Sequence, residues 1–324
     1  PAVGTTTAAC PSPSDYQAMS SSTYEQEGYP YSSQLYNALD LVTTVESAGS
    51  AWRSNNKNVL KRYGTNTSSS IKYYIAGLDE SSLQDIGYYP ANSLTVEETL
   101  NEDNRKTQVY KDFLDRTVLE RSITGDSIYD TYYVYDARNQ LRFVLTPEFQ
   151  SAGWKDKYAY EYRYDNHGRL VKKLRPHCAE EQFYYDSQGR IVYTQESNGD
   201  HQFFFYDNLG RQVIKGWCNN FNYHHYEDVT MLTTGDGLLG SGYQYSLPNA
   251  LSHGIIGEAT YYDNYTFLNK SIVTSSPNAS LLTRQDNVNT AGLKTGSIVR
   301  TSSNKYLISV FYYDEQGRVI DKRE

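Results

Sequence analysis

Tyr164-Asp165-Asn166-His167-Gly168-Arg169-Leu170, Tyr185-Asp186-Ser187-Gln188-Gly189-Arg190-Ile191 and Tyr206-Asp207-Asn208-Leu209-Gly210-Arg211 follow one another at equal steps of 21 residues. A fourth copy, Tyr313-Asp314-Glu315-Gln316-Gly317-Arg318-Val319, lies downstream. The shared pattern is Tyr-Asp-x-x-Gly-Arg, and it predicts a hairpin corner. The Asp side chain accepts hydrogen bonds from backbone amides two or three residues on, while the Gly takes the left-handed conformation that closes a type I turn with a G1 bulge. Weaker copies surround these. Tyr135-Asp136 has Asn139 in the Gly place, Tyr110-Lys111-Asp112 has Asp115 before Arg116, and Tyr262-Asp263 lacks a Gly-Arg pair. Asn139 suits a left-handed position; Asp115 fits it less well.

The flanks of the corners read as strands. From Lys157 to Tyr164 a Tyr stands at every even position, with Lys157, Ala159, Glu161 and Arg163 between, so period two predicts one strand with four rings on one face. Phe203-Phe204-Phe205-Tyr206 breaks that alternation and predicts a strand covered on both faces. The β-branched runs Ile191-Val192, Val213-Ile214 and Val319-Ile320 favour strand over helix. Further out, residues 70–77 predict a strand, and residues 94–100 and 107–110 a hairpin about Asn101-Glu102-Asp103-Asn104. An irregular stretch over residues 275–292 precedes strands expected near 297–300 and 305–313. The fold class is all-β, made of antiparallel β-hairpin repeats. The expected organisation is a loop-rich extension (1–30), an N-terminal β region (31–106), a central repeat array (107–216), an irregular insertion (217–258) and a C-terminal β region ending in a repeat (259–324).

Composition narrows the function. Of the aromatic residues 33 are Tyr, against 10 Phe and 3 Trp, which predicts half-buried surfaces in place of a thick apolar interior, because each hydroxyl needs water or a partner. No run approaches the roughly 18 apolar residues of a membrane span, and no signal-peptide pattern opens the sequence. A net charge of −8 argues against a binder of nucleic-acid backbones. Cys10, Cys178 and Cys218 are too few and too scattered for a disulfide framework or a structural zinc site, and their redox state stays open. The first residue is Pro1 and the last residues are strand-like, so a segment of a longer protein or a processed product is expected.

The common catalytic motifs, namely the zinc-binding His-Glu-x-x-His, the phosphate-binding glycine loop, Cys-x-x-Cys and the serine elbow, do not occur; Gly240-Ser241-Gly242 lacks the leading glycine of an elbow. The best metal-like cluster is His224, His225, Glu227 and Asp228, with His253 nearby, but adjacent histidines on a strand point to opposite faces. Cys178 beside His177 lacks the geometry of a thiol nucleophile and its base. Asp165, Asp186 and Asp207 have the look of paired acids, yet an active site is built once, whereas a load shared by stacked units recurs in each. The repeated Asp is therefore read as a turn cap and the Arg as stacking on a neighbouring Tyr or pairing across strands. No catalytic, cofactor or metal residue is assigned, and the expectation is a non-enzymatic chain without cofactor.

The Tyr-Asp/Gly-Arg series resembles the YD repeats of RHS proteins, which occur in bacterial polymorphic toxins, in the B and C components of Tc toxins and in teneurins. Residues 31–53, ending in Ala51-Trp52-Arg53, together with 130–145 and 259–268, resemble the N-terminal region of RHS-repeat proteins from Bacteroidetes. The resemblance spans residue 31 to the C-terminus. It implies a continuous curved antiparallel sheet, part of a shell that encloses a toxic domain, and a secreted or cell-surface location. Its partners would be the remaining repeats and an enclosed toxin domain of the same longer protein. The family's aspartate-based self-cleavage site and variable toxin domain have no counterpart in these residues. Tyr rings among Asn, Asp and Gln keep a carbohydrate- or protein-binding adhesion module as the alternative, with a hydrolase of unrecognised site a distant third.

Overall fold

The computed structural model describes residues 32–46, 55, 57–77, 82–153, 155–199, 201–218, 229–237, 240–244, 254–284, 288–302 and 305–324. The chain is all-β with antiparallel pairing throughout, and it divides into two compact units after Glu161. This division falls inside the array expected over 107–216. The limits expected at 106/107, 216/217 and 258/259 each fall within a strand.

In the first unit the strands are β1 (Ser33–Tyr36), β2 (Val42–Glu46), β3 (Asn58–Thr65), β4 (Lys72–Ala76), β5 (Leu83–Tyr88), β6 (Thr95–Leu100), β7 (Lys106–Lys111), β8 (Thr117–Thr124), β9 (Ser127–Tyr135) and β10 (Leu141–Leu145). Two short helices, α1 (Pro147–Ala152) and α2 (Lys155–Tyr158), precede β11 (Ala159–Tyr164), which spans the division. Each strand pairs with the next, except that β3 pairs with β6 and β4–β5 stand apart as a hairpin. That hairpin closes a core: Tyr74 meets Tyr132 edge-on at 5.2 Å, and Ile71, Leu94, Leu119, Phe143 and Leu145 are buried with them.

In the second unit the strands are β12 (Leu170–Leu174), β13 (Glu181–Tyr185), β14 (Ile191–Glu196), β15 (His201–Tyr206), β16 (Gln212–Trp217), β17 (Thr230–Met231), β18 (Tyr243–Gln244), β19 (Ile255–Asp263), β20 (Thr290–Ser302), β21 (Lys305–Tyr313) and β22 (Val319–Arg323). A 3-10 turn (Thr266–Asn269), α3 (Ser271–Thr274) and α4 (Ala279–Leu282) lie between β19 and β20. Strand β16 pairs with β19, across the separate β17–β18 ladder. Register sets the core, because Phe205, Ile214, Ala259, Ile298 and Ile308 oppose one another across five strands and so share one face. All five are buried, and the inserted segments lay Val229, Tyr243, Phe267, Val273 and Leu282 onto them. Gly296 is required there: a Cβ would lie 2.2 Å from Phe267 Cζ, so only a bare backbone lets that ring reach the sheet.

Three local expectations are corrected. Residues 157–164 are not one strand. Pro147 starts α1 and Gly153, at φ 70, ends it, then α2 takes Lys155–Tyr158 before β11 begins at Ala159. Within β11 the buried side chains are Ala159 and Glu161, so the tyrosines lie on the less buried face. Residues Phe203–Tyr206 are not covered equally on both faces: Phe203 and Phe205 are fully buried, while Phe204 is half-buried with Lys215 Nζ 5.9 Å from its ring centre. The stretch over 275–292 contains α4 and the start of β20.

Candidate functional site

The Tyr-Asp corners are the one arrangement the molecule builds repeatedly. At Asp165 the backbone amide donates to Arg169 O (2.9 Å) and Gly168 N donates to Asp165 O (3.0 Å), with Gly168 at φ 82. The side chain then closes the loop. Oδ1 accepts from the amides of His167 (2.8 Å) and Arg169 (2.9 Å), and Oδ2 from Arg169 Nε (2.7 Å). The donors thus lie two and four residues on, not two and three, because the bulge Gly turns its own amide to the Asp carbonyl. Asp186, Asp207 and Asp314 repeat the same three bonds, with Gly189, Gly210 and Gly317 at φ 81, 77 and 75.

The degenerate copies fold the same way. Asp136 caps the amides of Arg138 and Gln140 with Asn139 at φ 64, and Asp112 caps Leu114 and Arg116 with Asp115 at φ 58. Asp115 takes the left-handed place despite its poorer fit, and its carboxylate reaches Lys111 Nζ at 3.0 Å. Sequence reasoning missed that Asn37 and Asn101 are caps of the same kind, with Asp40 (φ 57) and Asn104 (φ 60) in the Gly place. The signal was present as Asn-x-x-Asp and Asn-x-x-Asn, since an amide oxygen caps a turn as a carboxylate does.

Arg116, Arg169, Arg190 and Arg211 also reach beyond their own corners. Arg116, Arg169 and Arg190 lie 4.8, 4.9 and 4.7 Å from the ring centres of Tyr135, Tyr185 and Tyr206, the Tyr of the next corner in each case. Those tyrosines in turn donate to the carbonyl following that Arg: Tyr135 to Thr117 (3.1 Å), Tyr185 to Leu170 (2.7 Å) and Tyr206 to Ile191 (2.9 Å). Burial raises the hydroxyl pKa of all three, against the opposing pull of the guanidinium. Arg211 does more: it covers Tyr262 at 4.3 Å and grips Asp263 through two bonds, of 3.1 and 2.5 Å. The Arg211 bond holds Asp263 below the ordinary carboxylate range despite some burial, with help from the Gly292 amide. At Asp165 burial works in the opposite direction, but the Arg169 amide and guanidinium and the His167 amide lower its pKa.

Chemically, the carboxylate of each full corner already accepts from two backbone amides and its own guanidinium. Tyr164 stands immediately before Asp165, at the end of β11, and Tyr313 donates to Lys294 O with Leu293 lying against Gly317. Among the described residues no three His, Cys, Asp or Glu converge as a metal site. His224, His225, Glu227, Asp228, His253, Cys10 and Trp52 lie outside the described residues. Cys178 is an exposed free thiol at the β12–β13 turn with His177 at φ 55, Cys218 is buried in the core, and Ser241 is buried. Also unforeseen is Lys270, fully buried, whose Nζ donates to Leu232 O and Gly235 O at 2.9 Å each.

No protein-family model matches the chain, and no curated protein sequence is similar to it. Solved structures similar to it include Tc toxin components. They include the TcdB2-TccC3-TEV crystal structure (11% identity, TM-score 0.48, covering 90% of this chain and 11% of that one) and TcdB2-TccC3 (12%, 0.45, 91% and 13%). A third is a Tc holotoxin pore of Photorhabdus luminescens (10%, 0.46, 92% and 13%). The chain therefore spans only 11 to 13% of these three chains. Among the described residues no helix is long and apolar enough to cross a membrane.

Proposed function

We propose that the chain is a non-enzymatic scaffold, a segment of a β-shell of the RHS type that surrounds cargo carried elsewhere in a longer, exported protein. The observation that carries this reading is the repeated clasp. Asp186 and Asp207 each spend their carboxylate on two amides and their own Arg, and Arg169, Arg190 and Arg211 each cover the Tyr of the following corner. Groups so engaged serve stacking, not proton transfer. A screen of the purified chain against glycoside, ester, peptide and nucleic-acid substrates, with and without zinc, is expected to give nothing above background. Turnover abolished by His225→Ala or Glu227→Ala would overturn the scaffold reading.

One observation favours the second reading, a carbohydrate-binding module. On the face of the second unit's sheet opposite the core, Phe183, Phe204 and Tyr206 line a groove of about 290 Å³ with Glu181, Glu196, Gln202 and Gln212. Retention on an oligosaccharide array that Phe204→Ala abolishes would favour it over the scaffold.

A further inference from the structure

We propose that a groove of about 790 Å³, between α3 and the end of the β20–β21 hairpin, binds a carboxylated sugar; this goes beyond the scaffold reading and is independent of the outer-face groove. Its volume falls in the roughly 300–1,000 Å³ range of small-ligand sites. One wall is locked in place. Gly240 lines the groove between two points pinned to the start of α3. On one side Lys270, fully buried, sends its Nζ to Leu232 O and Gly235 O at 2.9 Å each. On the other Gly242, at φ 83, packs so closely on the stem of that lysine that a Cβ would lie 2.7 Å from Cε. Asp236 joins the two, its carboxylate accepting from the Ser271 amide at 2.7 Å and its carbonyl from the Gly242 amide at 2.6 Å. The wall is thus preformed, so a ligand need not order it.

The lining specifies the ligand. Tyr306, half-buried, together with Ile272, Pro277 and Ile308 gives the groove an apolar side on which the C–H face of a pyranose ring can lie. Ser271, Ser276 and Asn278 line the same space, and among the described residues their side chains make no hydrogen bond, so the hydroxyls of a ligand find donors and acceptors there. Asn278 opens α4 without capping it, which leaves its amide for this use. The charge is as specific. Among the described residues Lys305 is the one charged group in the lining, it makes no ion pair, and no carboxylate accompanies it. In a chain of net charge −8 that is a local exception. One unopposed ammonium matches a single carboxylate, whereas a phosphate, at about −1.5 to −2, would call for a second cation or a guanidinium fork that the lining lacks. A neutral sugar would leave the ammonium unused. The class is therefore a uronic or sialic acid unit of a glycan.

The probes are trigalacturonate and sialyllactose, each paired with its neutral counterpart, the carboxyl-reduced trisaccharide and lactose, titrated by calorimetry onto the full 324-residue chain. The expected result is saturable binding of an acidic probe, about tenfold or more tighter than its neutral counterpart and weakened by salt. Which acidic probe binds separates a uronate from a sialate ligand. Lys305→Gln should weaken binding about tenfold and Asn278→Ala about threefold. Both positions are exposed, so unchanged melting curves will verify that the variants fold. Phe204→Ala should leave the affinity unchanged. Binding that Phe204→Ala abolishes belongs to the outer-face groove and overturns the assignment. Equal affinity for acidic and neutral probes, indifference to Lys305→Gln, or no binding of either acidic probe at millimolar concentration overturns it as well. None of these failures touches the scaffold reading, which stands or falls on turnover.

Discussion

The corners at Asp186 and Asp207 differ instructively from the one at Asp263. The first two are closed five-residue loops, each sealed by its own Asp, Gly and Arg. At Asp263 the chain leaves for the 3-10 turn, α3 and α4, and returns only at Thr290. Yet the clasp persists there. Arg211 still covers Tyr262, and Asp263, itself at φ 69, takes its amide from Gly292 and its hydroxyl contact from Thr290 on the returning strand. The local turn is therefore dispensable, whereas the contact from one corner's Arg to the next corner's Tyr is kept. A long insertion is accommodated because the loop's ends remain fixed by side chains, and its body adds Phe267, Val273 and Leu282 to the core.

The largest expected effect separates these two kinds of corner. Arg211→Ala removes the grip on both Asp207 and Asp263 and uncovers Tyr262, and should cost about 2–3 kcal/mol in urea denaturation. Arg190→Ala loses one carboxylate and one ring, and should cost about 1–2 kcal/mol. An Arg190→Ala loss equal to or above that of Arg211→Ala would break the comparison. Next comes the turn itself. Gly189→Val forces a branched side chain into the left-handed region at φ 81 and should destabilise by about 1–2 kcal/mol, read as a lowered Tm. An unchanged Tm would count against the bulged turn.

The smallest effect is in acid. Asp165 and Asp263 have folded pKa values below the ordinary Asp value of about 3.9, so the unfolded chain binds more protons than the folded one at low pH. Their contribution is fully present above that value and is lost as pH falls through the lower folded pKa. Melting curves at low salt should show stability level near neutrality and falling below about pH 4, and the fall should be shallower in Asp263→Asn. A fall of the same depth in that variant would remove Asp263 from the account.

Much of this was legible in the sequence, for a local reason. Asp and Gly at fixed spacing dictate a turn without help from the rest of the chain, so the four full corners and Asn139 were readable as such. Asn37 and Asn101 were not recognised as the same device, because the cap and the left-handed residue changed identity together while keeping their roles. The alternation at 157–164 misled, since Pro147 and Gly153 impose helical turns on its first residues whatever their period. The clasp had only half a signal. Arg169 and Tyr185, like Arg190 and Tyr206, are sixteen residues apart, and only strand register brings them together. The Tyr243, Tyr261 and Phe267 rings, stacked at 5.6 and 4.2 Å, come from segments with no period at all, so nothing local announced them.

That the Arg of a corner such as Asp186 holds the Tyr of the next is tested most directly by a double-mutant cycle on Arg190 and Tyr206. Arg190→Ala, Tyr206→Leu and the double variant would be compared by equilibrium denaturation. The clasp predicts a coupling energy of about 1 kcal/mol between the two residues. Additive losses, with coupling under about 0.3 kcal/mol, would contradict it and reduce the repeat to a series of independent turns.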